Sequence, residues 1–168
     1  MRIQVTEEAF IDWLNLTNKR IKMDHALSNK WWKLVFRVVK DLDEGNVPYS
    51  FDASTSLFVH GIEDFEMDDL DIMIQWDSFE IAHKLFQKYN PSPINKGGFW
   101  QFNFFVDGME VHIMSSEQIT CLEKDRERTA IQKENRTIWS KSILFYRRHT
   151  KNPHLIELID DFLNAKNN

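Results

Sequence analysis

Apolar residues recur along this chain in two rhythms, and the switches between them mark its elements. Trp31, Leu34, Val35, Val38 and Leu42 return every three or four positions, which predicts a helix starting after Ser28 and ending at Gly45-Asn46. Phe10, Trp13, Leu14 and Leu16 show near-helical spacing behind Thr6, whose hydroxyl caps a first helix, with Glu7 and Glu8 in its first turn. "VPYSF" (47–51) reads as a short strand. A short helix follows to His60, capped by Ser54 and stopped by Gly61. "DDLDIMIQW" reads as another strand. Asp77-Ser78 caps a helix, "FEIAHKLFQKY", that Asn90-Pro91 ends. The clearest alternation is "FWQFNFFVDGMEVHIM", a hairpin whose Asp107-Gly108 pair suits a two-residue type I′ turn. Residues 115–149 interleave charges with apolar positions and are predicted as one or two helices. The last helix has Asn152 as cap and Pro153 at its first position. This order predicts an α+β fold, a mixed or antiparallel sheet flanked by helices, in a single domain 1–168. Residues 47–115 are its core, and 1–46 and 116–168 are mainly helical.

Composition narrows the function classes. With 168 residues, 28% charged and 13% aromatic, the chain is long enough for a ring-rich globular core. Its net charge of -5 argues against bulk binding to a phosphate backbone. One cysteine, Cys121, leaves no pair for an intrachain disulfide and is expected as a small buried apolar residue. The sequence has no apolar run near the ~20 residues of a membrane span, and its start lacks a signal-peptide layout. The expectation is a soluble cytoplasmic protein with no membrane partner.

Within the second strand, Asp69 and Asp71 stand two apart and so share a face, opposite Leu70, Ile72 and Ile74. Two carboxylates this close repel unless a cation or strong donors sit between them. A hard divalent ion with oxygen ligands, Mg²⁺ or Mn²⁺, is the natural partner. The turn at Asp107-Gly108 pairs Val106 with Met109, Phe105 with Glu110, Phe104 with Val111 and Asn103 with His112. One hairpin face then carries Trp100, Phe102, Phe104, Val106, Val111 and Ile113. The other carries Gln101, Asn103, Phe105, Glu110 and His112. Laid beside the Asp69–Asp71 strand, this polar face offers Glu110 as a third carboxylate. The alternative reading is a solvated sheet edge.

The turn before the strand, "DASTSLFVHG", adds a second feature. A helix N-terminus there directs amides at an anion, and Ser54 and Thr55 add hydroxyls. Strand, small-residue turn, short helix and Asp-x-Asp strand together resemble the polymerase-β-like nucleotidyltransferase superfamily, in particular its small bacterial members. In that family a Gly-Gly/Ser pair precedes an Asp-hydrophobic-Asp/Glu strand. Here Ala53-Ser54 stands for the pair and Asp69-Leu70-Asp71-Ile72 for the strand, across a slightly longer gap that Glu63–Met67 absorbs. The resemblance implies that Asp69, Asp71 and Glu110 are catalytic and hold Mg²⁺ (or Mn²⁺). It also implies that Ala53, Ser54 and Thr55 bind the nucleotide. The implied reaction transfers a nucleoside monophosphate from a nucleoside triphosphate such as ATP to an acceptor hydroxyl on a small molecule or protein. His112 is placed to position the acceptor, with a packed imidazole as the plainer reading. Ala53 departs from glycine where backbone meets phosphate, and this keeps an alternative open: an inactive binding or regulatory module with a protein partner, as in toxin–antitoxin pairs.

Other features carry less. By alternation Asp68 points away from the motif. "KGGFWQF" (96–102) has no Lys-Ser/Thr and no following helix pattern, so it is not a phosphate-binding loop. Lys124, Arg126, Arg128, Lys133, Arg136, Arg147 and Arg148 alternate with acids and are expected on a solvated helix face.

Overall fold

The computed structural model describes residues 23–167. The helix expected from Thr6 lies outside the described residues.

Helix α1 (His25–Glu44) begins about a turn before the expected start, because Asp24 and not Ser28 is its cap: the Asp24 carboxylate accepts the Leu27 amide at 2.8 Å. It stops where the sequence indicated. Gly45 closes the last turn on the Asp41 carbonyl, and Asn46 takes the left-handed conformation at φ 53°.

Six strands follow: β1 (Tyr49–Phe51), β2 (Asp69–Ile74), β3 (Trp100–Val106), β4 (Met109–Ser115), β5 (Arg128–Lys133) and β6 (Arg136–Lys141). They form one mixed sheet in the order β3-β4-β2-β1-β6-β5. Strand β2 runs antiparallel to β1 and parallel to β4, and β1 runs parallel to β6. The β3–β4 register is the one the Asp107-Gly108 turn dictates, with both turn residues at positive φ (51° and 79°).

Alternation divides the sheet into two unlike faces. Leu70, Ile72, Ile74, Phe102, Phe104, Val111 and Ile113 fill one side and are buried. Helix α3 (Phe79–Leu85) lies on that side: Phe79 meets Trp100 and Phe102 edge-on, and Phe86, just past the helix, stacks on Phe104 at 4.6 Å. Its lead-in is a 3₁₀ turn at Trp76–Ser78 without a side-chain cap bond. A second 3₁₀ turn, Gln87–Tyr89, delivers the chain to left-handed Asn90 before Pro91. The opposite face carries Asp69, Asp71, Glu110 and His112.

Helix α2 (Ala53–Val59) starts straight after β1 and packs on β2 and β6. Its cap is Asp52, which accepts the Ala53 amide at 2.7 Å, so the expectation of Ser54 as cap is corrected by two residues. The 60–68 connection absorbs the long gap to β2. It is pinned by buried Phe65 and Met67, and by Glu63, which accepts from the Ser28 hydroxyl and the Trp32 indole.

The largest correction concerns residues 128–141, expected as helix and found as the β5–β6 hairpin. Glu134 and Asn135 form its two-residue turn, both at positive φ (51° and 64°). Thr129, Ile131, Thr137, Ile138 and Trp139 supply the β-branched and aromatic content that suits a pleated surface, and Ile138 is fully buried. The basic side chains here lie over rings: Arg128 over Trp139 (4.1 Å), Lys133 over Trp32 (4.7 Å) and Arg136 over Phe36 (5.0 Å). The chain closes with α4 (Ile143–His149), capped by Ser142, and α5 (Pro153–Lys166), capped by Asn152 with Pro153 first as expected. In α4, Arg147 pairs with Asp160 and Arg148 with Glu127. Among the described residues no helix is long and apolar enough to cross a membrane.

Candidate functional site

The parallel β2–β4 register builds the site. Asp69 lies opposite Glu110, and Asp71 lies opposite His112. Paired residues in a sheet share a face, so three carboxylates and an imidazole converge on its polar side. Glu110 and His112 are held by ladders on both edges of β4, whereas Asp69 and Asp71 pair with β4 alone, just beyond the β1 ladder that ends at Ile72.

Within this set the structure draws Asp69, Asp71 and His112 closest: one ligand atom from each lies within 4.8 Å of the others. His112 Nδ1 is 3.2 Å from Asp71 Oδ1, and its Nε2 is 2.7 Å from Gln101 Oε1. Glu110 stands one step outside that trio, its Oε1 accepting from the Asn103 amide at 2.7 Å. The tight cluster is therefore Asp-Asp-His, with the sequence-expected third carboxylate beside it. Asp68 is solvent-exposed, as alternation indicated.

Electrostatics mark the cluster as short of positive charge. Asp71 is 2% exposed, and among the described residues neither Asp69 nor Asp71 pairs with a lysine or arginine. Burial, then repulsion from Asp71, pushes the Asp69 carboxyl up to about 8. Burial does the same for Asp71, also to about 8, with Asp52 and Glu110 adding to the strain. Burial holds the His112 imidazole below its ordinary value, against the pull of Asp69 and Glu110. A divalent cation suits such a donor set: two carboxylate oxygens and an imidazole nitrogen, buried together without a protein cation to neutralise them.

The preceding turn is wired to this strand. Thr55 Oγ1 accepts the Asp71 amide at 2.9 Å and donates to the Asp69 carbonyl, while the Asp52 amide donates to the Asp71 carbonyl at 3.0 Å. Thr55 is fully buried, and both of these bonds hold α2 against β2. Ser54, also buried, makes no hydrogen bond with its hydroxyl among the described residues. Ala53 sits at φ 51°, left-handed backbone that favours glycine, at the position where the motif has one.

Sequence reasoning placed Asn103 and Gln101 on this face without a role, and missed Asp52 and Lys141. Asn103 and Gln101 reach Glu110 and His112 diagonally across the β3–β4 ladder, a contact the hairpin register contained. Asp52 adds negative charge beside Asp71. Lys141 is buried at the end of β6 and bonds Asp125 at 2.6 Å. Ser50, Met73, Cys121 and Lys141 line a recess of about 150 Å³. Met73 follows Asp71 on the same face and pairs with Ser50, so this recess adjoins the carboxylates. Cys121, expected buried, is half-buried at its rim.

No family model matches the sequence, and no curated protein matches it either. Solved structures do resemble it. A Thermotoga maritima protein provisionally assigned as a nucleotidyltransferase superposes with a TM-score of 0.61 at 15% identity, covering 87% of this chain and 96% of that one. ANT(2″)-Ia, solved in complex with adenylyl-2″-tobramycin, superposes with a TM-score of 0.55 at 12% identity, covering 80% of this chain and 90% of its own. With the six-stranded mixed sheet of its described residues and the Asp-x-Asp strand near the centre of that sheet, the chain shares its fold with these two solved structures.

Proposed function

We propose that the protein is a divalent-metal-dependent nucleotidyltransferase, moving a nucleoside monophosphate from a nucleoside triphosphate to an acceptor hydroxyl. The observation that carries this reading is the β2–β4 register, which sets Asp69 against Glu110 and Asp71 against His112 in this fold. Asp69 and Asp71 hold the ion. When bound, it neutralises the phosphate oxygens and acidifies the acceptor hydroxyl. Ser54, with the first amides of α2, takes phosphate oxygens, and Thr55 keeps that turn in place against β2. Glu110, oriented by Asn103, accepts the acceptor proton. The acceptor oxygen then bonds to the α-phosphorus as the bond to the bridging oxygen breaks, and pyrophosphate leaves. The adenylylated aminoglycoside held by ANT(2″)-Ia supports a small-molecule acceptor. Calorimetry with a non-hydrolysable triphosphate tests the assignment. Binding is expected only with a divalent ion present and only while Asp69 and Asp71 are intact; ion-independent binding, or binding unchanged in the Asp69→Asn/Asp71→Asn double variant, refutes it.

Ala53 favours a second reading, an inactive nucleotidyltransferase-like module. An L-residue at φ 51° costs ~1–2 kcal/mol where glycine costs little. Ala53→Gly trades that strain for backbone entropy of ~0.5–1 kcal/mol, so melting temperature rises by a few degrees at most (about 2–4 °C per kcal/mol). For an active site, triphosphate affinity rises with it. A stabilised variant with no gain in affinity favours the inactive module.

A further inference from the structure

We propose that His112 supplies the third protein ligand of the ion held by Asp69 and Asp71, making an oxygen–oxygen–nitrogen site that selects a first-row transition ion such as Mn²⁺ or Co²⁺ over Mg²⁺. The inference rests on the function proposed above and specifies its metal. Three observations support it. His112, and not Glu110, completes the group of ligand atoms lying within 4.8 Å of one another. Glu110 is held by Asn103 at 2.7 Å, which turns one of its oxygens toward β3.

The third observation is the tautomer. Gln101 Oε1 lies 2.7 Å from Nε2, and an amide oxygen can only accept, so Nε2 carries the proton. In the neutral ring Nδ1 then bears the lone pair, and Nδ1 faces Asp71 Oδ1 at 3.2 Å. Once Asp71 is ionised, as a metal ligand must be, these are two acceptors facing each other; an ion between them turns that contact into two bonds. An imidazole whose far N–H is fixed by a carbonyl is the usual arrangement of a metal-ligating histidine. Gln101 is thus a positioning residue, acting through the ring. Imidazole nitrogen is a poor ligand for Mg²⁺, which prefers oxygen and retains its waters, and a better one for later divalent ions.

The test is electron spin-echo spectroscopy on Mn²⁺ added to the full chain, paired with calorimetric affinities for Mn²⁺ and Mg²⁺. Modulation from a directly bound ¹⁴N is expected in the wild type and in Asp69→Glu, and is lost in His112→Asp. His112→Asp also lowers the Mn²⁺-over-Mg²⁺ preference by about tenfold or more, and Gln101→Leu weakens Mn²⁺ binding by about 10- to 100-fold. Mn²⁺ bound through Asp69 and Asp71 without nitrogen coupling overturns the His112 assignment and leaves the transferase reading standing. Failure of both ions to bind, with triphosphate present, overturns both readings.

Discussion

Asp71→Asn raises the melting temperature of the ion-free protein and at the same time abolishes its stabilisation by a divalent ion with triphosphate. The wild-type fold buries Asp71 almost completely beside Asp69, with Asp52 and Glu110 adding like charge. Both carboxyls titrate higher in the fold, near 8, than they do in an unfolded chain. The sign follows from that difference. Their contribution to stability is complete below the ordinary carboxylate range, near pH 4, and is lost as pH rises toward 8. The ion-free wild type therefore loses stability across neutral pH, and removing one charge recovers about 1–3 kcal/mol at pH 7.5. That corresponds to roughly 3–10 °C. The gap between variant and wild type widens from pH 5 to pH 8. Thermal melts at several pH values, with and without ion, check this; a variant less stable than wild type at pH 7.5 without ion contradicts it. A site strained when empty and relaxed when filled gains its affinity partly from that relief.

Thr55→Val costs about 2–3 kcal/mol, a large effect for a substitution of nearly equal volume. The valine keeps the packing but leaves the buried Asp71 amide without its 2.9 Å acceptor and removes the donor to the Asp69 carbonyl. Thr55→Ser retains both bonds and loses one methyl, a cost of about 1 kcal/mol. Chemical denaturation of the two variants gives the comparison. Ion affinity falls in Thr55→Val, because the same bonds aim Asp69 and Asp71. Equal destabilisation in the two variants would show that Thr55 acts by packing alone.

The hairpin and the carboxylate strand were legible because their signals are local. Asp-Gly fixes a turn, the turn fixes a register, and the register fixes which side chains face together. What no local pattern carries is which strand lies beside β2. Facing told that Glu110 and His112 share a surface with Asp69 and Asp71 only once β4 was placed parallel to β2, and that pairing arises from burial of Leu70, Ile72, Val111 and Ile113 under the helices. Closeness within the group was less legible still. Glu110 was the expected third ligand by charge, yet Asn103 holds it at 2.7 Å while Gln101 turns His112 inward. Residues 128–141 misled for a different reason. Their alternating charges satisfy a helical surface as well as a strand, and the Glu134-Asn135 turn lacks the glycine that signals a hairpin. Tertiary pairing with β1 decides the matter.

The order of the strands also sets a timetable. Strand β2 meets β1 and β4 within some forty residues of sequence, whereas β1 waits for β6, with Phe51 paired to Ser140. Loop closure favours the nearer pairings, so the β1–β2–β4–β3 half collapses first and the β5–β6 hairpin docks last. On a ribosome the interval is physical: at ~5–20 residues per second, Ser140 emerges seconds after the carboxylates have been brought together. Through that interval one side of β1 is an open edge, able to pair with a neighbouring nascent chain. Pulse-labelled refolding should show β2 and β4 amides protected before those of β5 and β6. A chain truncated before residue 136 should assemble the carboxylate strand and still aggregate through the edge that β6 would have closed.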